Sequence, residues 1–195
     1  MRAALRSGAE PLRRRYLEAT RRPRRVVLLS DVSGSMEPYA RALLRFLHAA
    51  VAGRTRVEAF VLATRLTRIT RQLSWRDPDA ALARAAGAVS DWASGTRLGD
   101  GLRTFNNRWR DLARGAVVVI LSDGWDRGDP DELTTEMERL RRSPHRVVWV
   151  NPLKATPGYA PLARGMAAAL PYVDDFVEGH SLAAMERLVE VIAKP

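Results

Sequence analysis

The sequence contains no cysteine, so disulfide bonds, zinc–thiolate sites, iron–sulfur clusters and thiol catalysis are all excluded. Histidine is scarce as well, because His48, His145 and His180 are the only three and their spacing suits no site. Lysine occurs only twice, as Lys154 and Lys194. The oxygen-bearing side chains of Asp, Glu, Ser and Thr are therefore the candidates for a metal or catalytic site.

Long apolar runs are also missing. No stretch approaches the roughly 20 apolar residues that a membrane-spanning helix needs. The amino terminus is basic but has no apolar core, so it lacks the pattern of a secretory signal. The chain has 195 residues, of which 46% are hydrophobic, and this fits one domain with a full core plus a tail. We therefore expect a soluble, cytoplasmic, monomeric protein with no membrane span.

The net charge of +10 is concentrated at the amino terminus. Residues 1–25 hold nine arginines against only two acids, Glu10 and Glu18. We interpret residues 1–23 as a basic, solvated leader or linker, or as the remnant of a longer upstream region. Binding of an acidic partner is the alternative. We do not expect nucleic-acid binding, because the arginines lack the interleaved run of aromatic residues that a single-strand platform needs.

Downstream of the leader, apolar runs alternate with helical patterns, which is typical of an α/β fold with a mostly parallel sheet. For residues 24–195 we predict a Rossmann-like, doubly wound sheet with one short antiparallel edge strand and helices on both faces. The predicted strands are 26–30, 57–63, 65–70, 116–121, 146–150 and 172–177. The predicted helices run over 37–53, 78–89 and 98–112, begin again at 130 and 182, and include a short one within 159–168.

One stretch, residues 25–36, carries the strongest chemical signal in the chain. Its first half is an unbroken apolar run, of the kind that forms a strand buried on both faces. Its second half places Asp31, Ser33 and Ser35 at alternate positions around Gly34, a residue that permits a sharp turn. Ligands that are all oxygen suit a hard divalent cation such as Mg²⁺.

Two further segments place oxygen ligands at comparable positions. Thr96 lies in a loop before a predicted helix, and Asp123 follows the apolar strand 116–121. In a doubly wound sheet, ligands bind outside the carboxyl ends of the strands, where the strand order reverses. If strands 26–30 and 116–121 are neighbours there, Asp31 and Asp123 face each other. The predicted metal ligands are Asp31, Ser33, Ser35, Thr96 and Asp123.

These five residues, in this order, resemble the metal-ion-dependent adhesion site, or MIDAS, of von Willebrand factor type A (VWA) domains. The resemblance runs from about residue 24 to 193. Four further stretches resemble the CoxE-like branch of that family, namely residues 31–39, 122–129, 149–153 and 170–175. The resemblance implies the VWA fold and a Mg²⁺ or Mn²⁺ ion that grips an Asp or Glu of a protein partner.

The resemblance also implies a role. CoxE-like proteins are similar to accessory factors encoded beside carbon monoxide dehydrogenase and other molybdenum hydroxylases. There they are thought to act with a MoxR-type AAA+ ATPase in maturing the metal centre, so such an ATPase or a molybdenum enzyme is the implied partner. Family members often carry an extra amino-terminal region, whereas this sequence holds little more than the VWA domain.

Competing interpretations remain open for the site. Ser94 competes with Thr96 as a ligand, and Asp126 competes with Asp123, although Asp126 is better suited to organising its loop. Arg97 and Trp125 flank the predicted metal, either as partner contacts or as ordinary surface residues.

The alternative functions are a Mg²⁺-dependent phosphotransferase that uses Asp31 as its nucleophile, and an acidic-partner or nucleic-acid binder that uses the arginine-rich leader. A phosphotransferase commonly has a second acid two residues after the nucleophile, where this chain has Ser33. No lysine lies near the three segments to neutralise a phosphoryl group. We therefore expect a binding module and not an enzyme.

Overall fold

The computed structural model describes residues 23–53, 56–90 and 95–194, and its centre is a six-stranded sheet. Residues 1–22 of the predicted leader and the candidate ligand Ser94 lie outside the described residues. The strands are β1 Val26–Asp31, β2 Val57–Leu62, β3 Leu66–Arg68, β4 Val117–Leu121, β5 Arg146–Asn151 and β6 Asp175–Glu178. Their order is β3-β2-β1-β4-β5-β6, and every pairing is parallel except that of β2 with β3.

The two wholly apolar runs of the sequence become the central strands. Every residue of β1 and of β4 is buried, because helices cover both faces of a mostly parallel sheet. The short segment Leu66–Arg68, whose burial decreases from Leu66 to the exposed Arg68, forms the antiparallel edge strand in a hairpin with β2. The predicted α/β architecture is confirmed.

Eight α-helices are described. They are α1 Glu37–Gly53, α2 Thr70–Leu73, α3 Pro78–Ala88, α4 Leu98–Arg108, α5 Arg110–Ala113, α6 Pro130–Arg141, α7 Arg164–Ala169 and α8 Leu182–Ala193. Single 3-10 turns occur at Gly34–Met36, Pro152–Ala155 and Leu170–Tyr172. Helices α1, α3 and α8 share one core with Val26 and Leu28 of β1, while α4, α6 and α7 pack on the other face with Val27 and Leu29.

Helix starts follow the capping residues in the sequence. Asp77 and Asp129 each accept a hydrogen bond from a backbone N–H of the helix that follows, and each helix has proline in its first turn. Ser181 caps α8 in the same way by accepting from the N–H of Ala184. These local signals set the direction in which each helix leaves the sheet.

Three elements differ from the sequence-based prediction. The single helix expected over 98–112 is interrupted at Trp109, whose φ of −130° breaks the helix while its ring packs 5.1 Å from that of Phe60. The short helix begins only at Arg164, and the last strand begins only at Asp175, because Leu170–Tyr172 adopts a 3-10 turn. None of the helices in the described part of the chain has the length and apolar character to cross a membrane.

Candidate metal centre

The candidate site lies where β1 and β4 end side by side. The two strands are parallel neighbours, and Ser30 of β1 is paired with Leu121 of β4. Asp31 and the pair Ser122 and Asp123 therefore follow at the same edge of the sheet. The chain leaves β1 toward β2 on one side and returns to β4 on the other, so this edge is the point where the strand order reverses.

Asp31 is fully buried and is held by three segments of the chain. Its Oδ1 accepts hydrogen bonds from the backbone N of Ser33 at 2.8 Å and from Oγ1 of Thr96 at 2.5 Å. Its Oδ2 accepts from Oγ of Ser122 at 2.7 Å. Burial raises the pKa of Asp31, and these hydrogen bonds oppose that rise by stabilising the carboxylate.

Asp123 is also buried but is less engaged. Its Oδ1 accepts from the backbone N of Trp125 at 3.0 Å, whereas its Oδ2 is buried and has no hydrogen-bond partner among the described residues. Leaving a buried polar group unpaired costs about 1–3 kcal/mol, and more when the group is charged. An oxygen in that state, at the sheet edge where Asp31 also lies, is suited to a cation.

Two side chains of β5 hold the backbone around Asp123. Nε1 of Trp149 donates to the carbonyl of Ser122 at 2.8 Å, and Nδ2 of Asn151 donates to the carbonyl of Asp123 at 3.0 Å. Nδ2 of Asn151 also lies 2.9 Å from the hydroxyl of Tyr159, whose pKa is raised by burial and by the negative charge of Asp123. The position of Asp123 is therefore set by the strand next to its own.

The two serines lie in the turn after β1. Ser33 is buried and Ser35 is exposed, and their Oγ atoms are 3.1 Å apart, so that one hydroxyl donates to the other. The 3-10 turn Gly34–Met36 places them there before α1 begins. Hydroxyl oxygens keep lone pairs after donating their proton, so both serines remain able to bind a cation.

The hydrogen-bond pattern leaves the two carboxylates, Asp31 and Asp123, with different numbers of free acceptor positions. A carboxylate offers about four acceptor positions. Asp31 uses three of them for Ser33, Thr96 and Ser122, whereas Asp123 uses one. A hard cation such as Mg²⁺ or Mn²⁺ fits this all-oxygen donor set. Asp123 is the carboxylate with oxygen positions to spare, and Asp31 organises the hydroxyl of Thr96.

The structure links Asp31, Ser33, Ser35 and Thr96 by hydrogen bonds and places Asp123 directly after Ser122, which bonds Asp31, and the assignment of all five as a ligand set stays a prediction. The described residues contain no group of three or more histidine or acidic side chains suited to a metal, so such a site depends on the hydroxyls. Sequence reasoning did not single out Ser122, which bonds Asp31 across 91 positions of chain. Its only sequence signal is its place immediately before Asp123.

Asp126 has the loop-organising position that its sequence context indicates. Its Oδ1 accepts from the backbone N of Leu98 at 2.9 Å and of Gly128 at 3.1 Å, which ties its loop to the start of α4. Its Oδ2 is buried without a partner among the described residues. Gly124, between Asp123 and this loop, has φ of 81°, and a Cβ there would lie 2.7 Å from Cβ of Met166.

Comparison with known proteins identifies the family. A family model described as "VWA domain containing CoxE-like protein" matches residues 1–185. The chain belongs to this CoxE-like VWA family. No curated protein matches the CoxE-like chain in sequence.

Solved structures with the same fold include proximal thread matrix protein 1 from mussel byssus, with a TM-score of 0.54 and 14% identity over 87% of this chain. The CoxE-like chain covers 46% of that protein. BatB from Bacteroides thetaiotaomicron has a TM-score of 0.54 and 16% identity, over 88% of this chain and 99% of BatB. The PilB minor pilin of Streptococcus sanguinis has a TM-score of 0.54 and 12% identity, over 90% and 62%. At these identities the likeness establishes the fold alone.

Proposed function

We propose that this CoxE-like chain is a metal-dependent protein-interaction module and not an enzyme. Its ligands for Mg²⁺ or Mn²⁺ are Asp31, Ser33, Ser35, Thr96 and Asp123. The observation that carries the proposal is the buried Oδ2 of Asp123, which has no hydrogen-bond partner among the described residues and lies at the sheet edge where the Asp31 carboxylate is held by three donors. When bound, the ion would supply positive charge and a free coordination position for an Asp or Glu of a partner.

The residues of the chain divide this work between them. Asp123 supplies the open carboxylate oxygen, while the hydroxyls of Ser33 and Ser35 add neutral oxygens. Oδ1 of Asp31 accepts a hydrogen bond from the hydroxyl of Thr96, so the lone pairs of that hydroxyl remain available to a cation. The two carboxylates of the set balance the formal charge of a divalent ion, and the other three ligands are neutral hydroxyls. This donor set favours the binding of one more carboxylate, supplied by a partner.

The placement of Asp31 supports a binding role over a phosphotransferase role. The carboxyl group is fully buried, and both of its oxygens accept hydrogen bonds from the chain, so it is poorly placed for attack on a phosphoryl group. Both lysines are engaged elsewhere, because Lys154 donates to the carbonyl of Phe176 and Lys194 lies 3.8 Å from Asp175. A phosphatase screen with Mg²⁺ tests this, and turnover that vanishes in Asp31→Asn would contradict it.

For the partner we propose a MoxR-type AAA+ ATPase, acting in the maturation of a molybdenum hydroxylase such as carbon monoxide dehydrogenase. Membership of the CoxE-like family supports this proposal. The test is a pull-down of the ATPase encoded beside this gene, with Mg²⁺ and with EDTA. Binding that needs metal and is lost in Asp123→Ala is expected. Metal-independent binding would mean that the interface lies outside the metal centre. The arginine-rich leader would then be tested by measuring how ATPase binding depends on salt concentration.

Metal binding itself is tested without any partner. Titration calorimetry with Mn²⁺ and thermal unfolding with and without Mg²⁺ are the measurements. At a metal concentration 100 times Kd, binding stabilises the folded chain by about 2.7 kcal/mol. Asp123→Ala should lose this stabilisation. Asp111→Ala, at a side chain 93% exposed and away from the site, is the matched control. Wild-type Mn²⁺ affinity in Asp123→Ala would refute the ligand assignment.

A further inference from the structure

Two of the exposed apolar side chains lie on segments next to the candidate metal centre. Among the described residues, the exposed large apolar side chains are Trp75 at 48%, Trp125 at 66%, Leu162 at 84% and Val189 at 48%. The two most exposed of them are Trp125, two residues after Asp123, and Leu162, which precedes α7, a helix whose start contacts the loop after Asp123. We call these two residues the apolar rim.

Trp125 is held close to the site by its backbone. It lies two residues after Asp123, so their Cα atoms are within about 7–8 Å of each other. Its N–H donates to Oδ1 of Asp123 at 3.0 Å. Gly124, with φ of 81°, packs so closely on Met166 of α7 that no side chain fits between them. The main chain at Trp125 is therefore fixed while its indole ring faces solvent.

Leu162 lies in the segment that leads into α7, three residues before a contact with the loop after Asp123. The start of that helix contacts the loop after Asp123, because a Cβ on Gly165 would lie 2.5 Å from the carbonyl oxygen of Gly124. Leu162 is three residues before Gly165, which limits its distance from this contact to roughly 11 Å. Its N–H donates to the carbonyl of Ala160 at 2.8 Å, so the turn that presents it is itself hydrogen-bonded.

A basic side chain lies on another side of the site. Arg97 follows Thr96 directly, and its side chain is 60% exposed. Its guanidinium lies 3.3 Å from Asp100, which also pairs with Arg103. Ion pairs that are this exposed contribute little to the free energy of folding. Arg97 can therefore leave Asp100 for a carboxylate of the partner at small cost. The surroundings of the site are thus apolar along the rim and basic at Arg97.

From this asymmetry we propose that the partner presents a segment in which the metal-binding Asp or Glu lies within three residues of a large aliphatic or aromatic side chain. The apolar rim contacts that side chain, and Arg97 favours a second acid nearby. The proposal rests on the metal-dependent interaction proposed above and specifies its partner. An extended segment advances about 3.3 Å per residue, so residues within three positions of the acid lie within about 10 Å of it. Tryptophan is also enriched among residues that dominate binding energy.

The test selects a phage-displayed library of random 12-residue peptides on the full chain in Mg²⁺, with elution by EDTA. The eluted peptides are sequenced, and synthetic copies are titrated against the wild type and against Trp125→Ala and Leu162→Ala. We expect an acid near a large apolar residue in the wild-type pool, and at least tenfold weaker binding by Trp125→Ala. The same library is also selected on Trp125→Ala. In that second pool, the acid should persist while the preference for an apolar residue near it declines.

Two matched variants serve as controls. Trp75→Ala removes an exposed indole at a position where the backbone carbonyl accepts from Nε2 of His48 and the ring lies 3.7 Å from the Arg84 guanidinium. Val189→Ala removes an exposed aliphatic side chain from α8. Both should bind the peptides within twofold of wild type. A pool rich in acids with no apolar neighbour would overturn the apolar-rim proposal and leave the metal-dependent function standing. No EDTA-eluted pool at all would overturn both.

Discussion

Replacing Ser122 with alanine tests the hydrogen-bond network that holds the candidate site. The side chain is fully buried, and its Oγ donates to Oδ2 of Asp31 at 2.7 Å and accepts from the backbone N of Gly124 at 3.0 Å. Ser122→Ala therefore leaves the buried carboxylate of Asp31 and the buried N–H of Gly124 without this partner. A hydrogen bond to a charged group contributes about 1.5–3 kcal/mol, and an unpaired buried N–H costs about 1–3 kcal/mol.

The expected loss in the free energy of unfolding is therefore about 2.5–6 kcal/mol, a large share of the roughly 5–15 kcal/mol of a typical domain. Urea unfolding in EDTA, followed by circular dichroism, measures it, and the denaturant slope should not change. Metal affinity should also fall, by about 10- to 100-fold, because Asp31 loses a group that orients it.

Ser35→Ala is the control for this experiment. Ser35 is exposed, and its Oγ contacts only Oγ of Ser33 in the described hydrogen-bond network, so its removal should change the stability by less than about 0.5 kcal/mol. The reasoning is refuted if Ser122→Ala in EDTA unfolds within 1 kcal/mol of wild type, a threshold below the range expected for one lost charged hydrogen bond.

Two further substitutions and one control substitution have defined outcomes. Because the pKa of Asp31 is raised above its ordinary 3.8, the folded chain binds this proton more tightly than the unfolded chain, so metal-free stability falls as pH rises above about that value. Asp31→Asn should flatten this part of a pH series of urea unfolding in EDTA, and an unchanged slope would contradict the assignment. Gly165→Ala places Cβ 2.5 Å from the carbonyl oxygen of Gly124 and should cost about 1–3 kcal/mol. The control is Gly87→Ala in α3, where an added Cβ meets nothing within 4 Å, and it should be neutral or stabilising. Thermal unfolding measures the stability of both glycine variants.

The regular elements of the fold follow from short-range patterns. The apolar runs at 26–30 and 116–121 could only become strands covered on both faces, and they are the buried centre of the sheet. Asp77, Asp129 and Ser181 mark helix starts because a capping side chain bonds a backbone N–H only two or three residues away. Each of these signals is contained within a few residues, so a sequence is sufficient to reveal it.

Where long-range packing competes with a local pattern, the sequence was a poorer guide. Residues 98–112 have continuous helical periodicity, yet the helix breaks at Trp109, whose ring packs against Phe60 of β2. Residues 172–177 are predicted as a strand, but a 3-10 turn occupies Leu170–Tyr172 and the strand begins only at Asp175. In both cases the deciding contacts or turn geometry are absent from the apolar pattern itself.

The sequence by itself determined the types of residue at the candidate site and their order, because the acid and hydroxyls follow recognisable strand ends. Only the tertiary structure decided which oxygens are already engaged. Ser122 reaches Asp31, and Asn151 reaches the carbonyl of Asp123, because β1, β4 and β5 are adjacent in the sheet. Hydrogen-bond capacity depends on neighbours distant in the chain, which is why the spare oxygen of Asp123 became visible only in three dimensions.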